Sequence, residues 1–472
     1  MTADTEALPV GFTVVVDEDT VECAPGHLLG GSPLRVMRLS EHGSAAWAEI
    51  CSGHPRSSGA RLLARKLLDA GLIHPIAPST DTPLGATVIV PAYGRPEMLN
   101  TCLASMDDRY PIIVVDDASP DETGLRSVTS RHGATLVRRG HNGGPGAARD
   151  SGLTAATTPF VAFVDSDCAP ATDWVAALGA HFADPTVAAV APRIVSLPCP
   201  RRQRATTSRG LLDMGARPAR VAPRSRVSHV PTAALVVRRA ALDTIAPGGS
   251  VFDPALRCGE DVDLIWRLVA AGWQIRYDPS VEVVHHEPLS QWGRMAKRFH
   301  YGTSAGPLSR RHPGNVDPLV LHPWPTIAIA SIIARRPLIS AAAVGVALFD
   351  GHRKLGTVGV PPKRVAMMTS HAIWQTWLGV SRFCLQFASP LLMIALLTPW
   401  GSRRRRVVAG ALIASAPLAT SPAEPIEQLL DDVAYGAGVW VGSIRERTAD
   451  PLTPKVLWRS MLTAAQPRKA AP

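Results

Sequence analysis

From residue 86 the chain alternates short apolar runs with amphipathic segments. ATVIV is followed by RPEMLNTCLASM, PIIVV by a polar turn, ATLVR by GAARDSGLTAA, and FVAFV by TDWVAALGAHF. Apolar runs of this length without polar alternation predict strands buried on both faces. The helix-period segments between them predict a parallel sheet covered by helices. Ligands of such sheets bind at the carboxyl ends of the strands, so the residues that follow each run are the candidates for chemistry.

The flanks read differently. Over 1–83, FTVVVDEDTVEC and PLRVMRLS predict short strands, Ser40 caps a helix running through Ile50, and a second helix carries Leu62, Leu63, Leu67 and Leu68 on one face and ends at Gly71. APSTDTP then forms a linker to an α/β domain over 84–310. Residues 311–463 are rich in Ala, Ile, Leu and Val interrupted by arginines, which predicts an apolar helical region, and 464–472 form a disordered tail. Within that region Pro337–Phe349 and Val407–Thr420 fall short of the roughly 20 apolar residues of a membrane span. Cys384–Trp400 comes closest, and Arg403–Arg406 after it suits anionic lipid on a cytosolic face. A buried helical hairpin is the other reading of the same pattern.

Composition narrows the class. A chain of 472 residues implies more than one core, and 46% hydrophobic against 19% charged residues is apolar enough for some surface to meet lipid or a partner. The net charge of +10 draws phosphates of any origin. Seven cysteines without a C-x-x-C pair point to a reducing compartment, and MTADTEALPVGF lacks the basic and apolar blocks of a secretory signal. The expected location is therefore the cytoplasmic side of the cell membrane, peripheral or anchored by the C-terminal region. Arg193 to Arg239 holds eleven arginines and one acidic residue, Asp213, which raises nucleic-acid binding as a different class. Few aromatics interleave those arginines, and acidic strand ends repel a phosphate chain, so no nucleic-acid partner is expected. The stretch reads better as an acceptor-side loop or a surface meeting diphosphate or anionic lipid.

The strand ends carry a consistent chemistry. The first ends in Val90-Pro91-Ala92-Tyr93, a turn and a ring where a nucleoside can stack. The second ends in Asp116-Asp117, one of which can accept a hydrogen bond from a uracil N3–H or cap a turn. The third leads into Asn142-Gly143-Gly144-Pro145-Gly146-Ala147-Ala148-Arg149, small residues opening a helix whose N-terminus favours anions, with Arg149 a donor contact. A dinucleotide-binding loop is the rival, but Arg149 stands where its third glycine or alanine belongs, and the loop follows the third strand. The fourth ends in Asp165-Ser166-Asp167, whose alternation in extended chain puts two hard carboxylates on one side, suited to Mg2+ or Mn2+. Glu260 and Asp261 fall in the first turn of a later helix, whose dipole is expected to keep Asp261 ionised as a base near neutral pH. His285 and His286 close the strand VEVVHH; they face opposite ways, so one, taken as His285, joins Asp167 on a metal.

In this order VIVPAYGRPEMLNTCLASM, IIVVDDASPDET, HNGGPGAARDSG, FVDSDC, FDPALRCGEDVDLIWRL and VVHHEPLS resemble family 2 glycosyltransferases of the GT-A fold. The resemblance implies an inverting hexosyltransferase using a UDP-sugar. Asp117 then meets uracil, Pro91, Tyr93, Arg149 and Asp165 complete the donor side, Asp167 and His285 hold the metal, Glu260 lies on the acceptor side, and Asp261 is the base. LRVMRLSEHGSAAWAEI and RLLARKLLDAGLIHPI resemble a small winged-helix domain of PqqD type, which recognises precursor peptides. The two parts joined are similar to the glycosyltransferase family of the mycofactocin system. That similarity implies a β-1,4 glucose chain built from UDP-glucose on a peptide-derived redox cofactor or its precursor. A cell-envelope glycosyltransferase acting on a lipid-linked or polysaccharide acceptor is the competing enzyme reading.

Overall fold

The computed structural model describes residues 7–78, 83–197, 210–287, 290–398 and 403–457. Part of the expected linker, Cys199, Arg201, Arg202, Arg204, Arg209, Trp400 and the C-terminal tail lie outside them. The described chain divides into two compact units, one made of 7–17, 45–197 and 210–287, the other of 18–44 and 290–457.

In the first unit, strand β1 (Thr13–Val16) pairs antiparallel with β5 (Ile73–Ile76), which the sequence reading missed. Most of helix α1 (Glu41–Cys51) and α2 (Ser58–Ala70) accompany them. Helix α2 ends at Gly71 as expected, in the left-handed conformation. Its buried face is Ala60, Ala64, Leu67 and Leu68, whereas Leu62 points to solvent, one position off the stripe assigned from sequence.

The α/β part of this unit carries β6 (Ala86–Ala92), α3 (Pro96–Ala104), β7 (Ile112–Asp116), α4 (Glu122–Arg131), β8 (Thr135–Arg138), α5 (Pro145–Ala155) and β9 (Phe160–Val164). After them come β10 (Cys168–Pro170), α6 (Trp174–Gly179), β11 (Val187–Ser196), β12 (Ala219–Arg220), β13 (Ala234–Arg238), α7 (Arg239–Ile245), α8 (Glu260–Ala270) and β14 (Gln274–His285). The sheet order is β10-β14-β11-β13-β9-β6-β7-β8, with β12 paired to β14. Strands β6 to β9 are parallel, as the apolar runs predicted. The sheet as a whole is mixed and not purely parallel, because β13 runs antiparallel to both β9 and β11. A strand covered on both faces is apolar throughout in either direction, so the runs do not encode this reversal. Helix α5 lies close on the sheet because of Gly152, where a Cβ would stand 2.4 Å from Ile89 Cγ2.

Among the described residues of the arginine-rich stretch, five arginines are engaged within this unit. Arg193 grips Asp213 with Nε and Nη2 at 3.0 and 2.9 Å, and Arg217 and Arg226 both reach Asp17. Arg238 stacks over Phe160 and Phe182, and Arg239 donates to the carbonyls of Leu153, Ala156 and Thr158. Their charges serve packing, which removes them from the expected anion-facing surface.

The second unit contains β2 (Val21–Ala24), β3 (His27–Gly30) and β4 (Arg35–Arg38) as a three-stranded antiparallel sheet. It also holds α9 (Gln291–Thr303), α10 (Ala305–Arg311), β15 (Val320–Leu321), α11 (Pro323–Ile333), α12 (Pro337–Gly356), α13 (Pro362–Leu397), α14 (Arg403–Thr420), α15 (Pro425–Glu446) and β16 (Lys455–Val456). Leu29 of β3 packs with Leu355, Val360 and Val365 near the α12–α13 turn. Helices α9 and α15 cross so closely that a Cβ on Gly438 would lie 2.0 Å from the Phe299 carbonyl oxygen. The buried Arg294–Asp431 pair at 2.9 Å fixes the same contact. Helix α13 is longer than the Cys384–Trp400 stretch singled out from sequence. It is the one described helix long and apolar enough to cross a membrane, and only 17% of its most apolar window is buried.

Candidate active site

The site forms at the carboxyl edge of β6, β7 and β9, entirely within the first unit. Pro91 is buried inside β6 opposite Val115, and Tyr93 just beyond it is 54% exposed, leaving its ring open to a base. The neighbouring aspartates have different work. Asp116 is fully buried, accepts from Ser119 N at 2.8 Å and pairs with Arg138, so it closes its own turn. Asp117 Oδ1 accepts from Arg139 Nη1 at 2.6 Å and Gly143 N at 3.0 Å, and Oδ2 accepts from Gly144 N at 2.7 Å. A carboxylate oxygen has two lone-pair sites, so Oδ2 alone keeps one free for a further donor. Ala118, with φ of 60°, holds the strained turn that aims this carboxylate at the glycine loop.

Arg149 sits beneath the site. It is 2% exposed, donates from Nη2 to Asp165 Oδ1 at 2.6 Å and from Nη1 to Glu260 Oε1 at 2.9 Å, and lies 5.8 Å from the centre of the Phe252 ring. Burial pulls this guanidinium down, but Asp165 and Glu260 together hold it above its ordinary value. The structure thus places Arg149 as the support of two carboxylates. Glu260, expected on the acceptor side, is buried against it.

Asp165 and Asp167 do not lie on an extended strand. β9 ends at Val164, and Cys168 N donates to Asp165 O at 2.9 Å, closing a tight turn that corrects the alternation argument. Both side chains stay partly open, at 31% and 21%. Long strand β14 returns to this turn, pairing His285 with Cys168. His285 Nε2 comes within 3.7 Å of Asp167 Oδ1, its Nδ1 has no hydrogen-bond partner, and His286 contributes a backbone N–H to Asp167 O at 2.9 Å. Among the described residues no three His, Cys, Asp or Glu groups cluster as a metal site. The 3.7 Å between Asp167 Oδ1 and His285 Nε2 exceeds the about 3 Å between adjacent ligands at about 2.1 Å from a hexacoordinate centre, so both would bind one ion after a small approach of the two groups. Mg2+ characteristically takes one or two protein groups and completes its shell with substrate phosphate and water.

Helix α8 begins after Gly259 with Glu260, Asp261 and Asp263 in its first turn. Asp261 Oδ1 accepts from Val262 N at 2.8 Å. Burial raises the Asp261 carboxyl above its ordinary value against that hydrogen bond, which overturns the expectation that the helix terminus would lower it. A raised carboxylate is the stronger base.

Several working residues escaped the sequence reading. Asp150 accepts from Val251 N at 3.0 Å and Phe252 N at 3.2 Å, and bonds Ser250 100 residues away. Arg267 holds the Val251 carbonyl and pairs with Asp263 at 2.8 Å, so the segment before α8 is pinned from both sides. Arg139 and Phe252, described above, were missed as well. The Arg267–Asp263 pair has the local i,i+4 spacing of a helix, but no local spacing marks the others, which reach partners 16 or more residues away.

Glu260 gives a pH signature. Burial first, and Asp261 second, push its carboxyl up to about 7 from 4.5. The native state therefore binds more protons than the unfolded state between these values, and stability falls as pH rises through that window. Glu260→Gln should remove that loss. In parallel urea titrations the stability of the parent relative to the variant should decline from pH 4.5 to 7 and then level; a pH-independent difference would contradict the burial argument.

The family description "Glycosyl transferase family 2" matches residues 87–245, the span of β6 through α7. The chain is 36% identical to the "Pre-mycofactocin glycosyltransferase" of Mycobacterium tuberculosis (strain ATCC 25618 / H37Rv), over 95% of this chain and 98% of that one. This chain belongs to glycosyltransferase family 2. A shorter match, 39% identical over 17% of this chain and 28% of the relative, is to the succinoglycan biosynthesis protein ExoW of Rhizobium meliloti (strain 1021). Among solved structures, the mannosyltransferase PcManGT from Pyrobaculum calidifontis in complex with GDP-Man and Mn2+ is 20% identical, covers 74% of this chain and 90% of its own, and has a TM-score of 0.38. The mixed sheet of this family 2 enzyme, with acidic residues on its strand ends, is GT-A-like.

Proposed function

We propose that this glycosyltransferase is an inverting, metal-dependent hexosyltransferase that transfers glucose from UDP-glucose, in β-1,4 linkage, onto mycofactocin or its precursor. It works at the cytosolic face of the membrane. The observation that carries the reading is the similarity to a pre-mycofactocin glycosyltransferase along nearly the whole of both chains, supported by the carboxylates at the sheet edge and at the start of α8. The N-terminal β1, α1, α2 and β5 would supply the peptide-recognition part.

In this reading Tyr93 stacks on the uracil and the open site on Asp117 Oδ2 accepts its N3–H. Asp165, held by Arg149, orients the donor sugar and diphosphate. Asp167 and His285 are the residues that would hold Mg2+ or Mn2+, which when bound neutralises charge on the departing diphosphate. Asp261 takes the proton from an acceptor hydroxyl as that oxygen bonds to the anomeric carbon and the carbon–oxygen bond to the diphosphate breaks. Attack from the face opposite the leaving group inverts the centre, and the proton ends on the Asp261 carboxyl.

The deciding experiment incubates the purified enzyme with a panel of nucleotide sugars and with peptide-derived and lipid-linked acceptors, and measures product mass. A hexose increment on the peptide-derived acceptor alone supports the reading, and transfer confined to lipid-linked acceptors overturns it. Asp167→Ala should weaken dependence on added Mn2+ at least tenfold in titrations that follow donor turnover. An unchanged metal titration would remove Asp167 from the metal site.

A further inference from the structure

In the second unit, helices α13 and α14 form a hairpin zipped at its middle. Ser381 Oγ donates to Leu412 O at 2.6 Å and accepts from Ala416 N at 3.0 Å. Helix α13 breaks its helical geometry at Ala388, just before Pro390. From Gln386 to Thr398 no residue is buried. Leu391, Ile394 and Leu397, 68%, 58% and 70% exposed, follow one another at a three-residue spacing and so form one stripe. At the same end α14 opens with Arg403, Arg404, Arg405 and Arg406, all exposed, followed by exposed Val407.

We propose that this hairpin end is a one-leaflet membrane anchor that seats on anionic phospholipid. Two observations carry it. The apolar stripe beyond the break is seven residues long, about 10 Å at 1.5 Å per residue. Inserted end-on, a stripe of that length reaches into one leaflet of a hydrocarbon core about 30 Å thick, while α13, long enough as a whole to span it, also packs against α12, α14 and α15. Beside the stripe, Arg403, Arg404 and Arg406 expose their side chains around Arg405, which also donates to Thr398 Oγ1 at 2.7 Å, and arginine is the residue that binds phosphate in two-point fashion. A second copy of this chain is the poorer occupant, since a two-fold contact would bring like arginine clusters together. The α11–α12 turn repeats the pattern with Ile332, Arg335, Arg336 and Leu338, the last 85% exposed. Because α12 and α13 pack together and are joined by residues 357–361 alone, they run in opposite directions. At 1.5 Å per residue the 20 residues of α12 reach back only to about the middle of the 36-residue α13, so the α11–α12 turn is a separate apolar and basic patch and not part of this hairpin end.

The anchor does not rest on the transferase reading, and its test uses the full chain without donor or acceptor. Flotation with phosphatidylcholine vesicles and with vesicles containing phosphatidylglycerol should show binding to the second only, reversed by high salt. Replacing Arg403 to Arg406 together by Gln should weaken binding at least tenfold and up to about a thousandfold. Leu391→Glu with Leu397→Glu should do the same while the melting curve stays that of the parent. In cells, carbonate washing should release the protein. Retention after carbonate would make α13 a spanning helix and overturn the proposal. Absence of vesicle binding, with light scattering reporting a dimer that Leu397→Glu splits, would assign the face to self-association instead.

Discussion

Asp261→Asn should lower turnover of sugar transfer between about a hundredfold and ten-thousandfold while leaving the KM for donor within a factor of a few. The asparagine keeps the shape of the side chain and the bond from Val262 N, so the start of α8 need not move. What it loses is the only property the proposed mechanism asks of the position, a lone pair basic enough to take a hydroxyl proton. Burial raises the Asp261 carboxyl, so the parent should show an acid limb in kcat/KM above the ordinary aspartate range. That limb should be absent from the residual activity of the variant. A fully active asparagine variant would move the base elsewhere, with Glu260 the next group to test.

Arg149→Ala should be the most destabilising single change at the site, at about 3–5 kcal/mol, because it leaves Glu260 and Asp165 facing each other without their shared cation. The loss should show in urea denaturation, and in activity even at temperatures where the variant stays folded, since Asp165 loses its anchor. Arg149→Lys is informative beside it. One ammonium cannot span both carboxylates in the two-pronged way of a guanidinium, so charge returns and geometry does not. The expected order is parent, then Lys, then Ala, in both stability and turnover. If lysine restored full turnover, charge alone would suffice and the paired bonds to Asp165 and Glu260 would be incidental.

Both predictions rest on elements that were unequally legible in the sequence. Strands β6, β7, β8 and β9 and helix α5 were readable because buried strands and amphipathic helices leave periodic signatures. Asp117, Asp165, Asp167 and Asp261 stood out because the chemistry sits where those signatures stop. Strands β3 and β5 were missed: HLLG and IHPI are four residues long, as β8 is, but no amphipathic helix follows them to mark them out. The direction of β13 was invisible for the different reason that a doubly covered strand is apolar whichever way it runs.

The sequence by itself determined which residues are able to carry charge, metal or a proton, and the order in which they meet the sheet edge, because residue type and strand period are local properties. The family followed from the same motifs. Only the tertiary structure decided what each group touches there. It set Arg149 under two carboxylates, drew Asp165 to Asp167 into a turn beside His285, and bound Asp150 to the segment before α8. It also raised Asp261 where the helix terminus alone would have lowered it. Each of these depends on burial or on a partner distant in the chain, and neither desolvation nor long-range contact is written in the spacing of a motif.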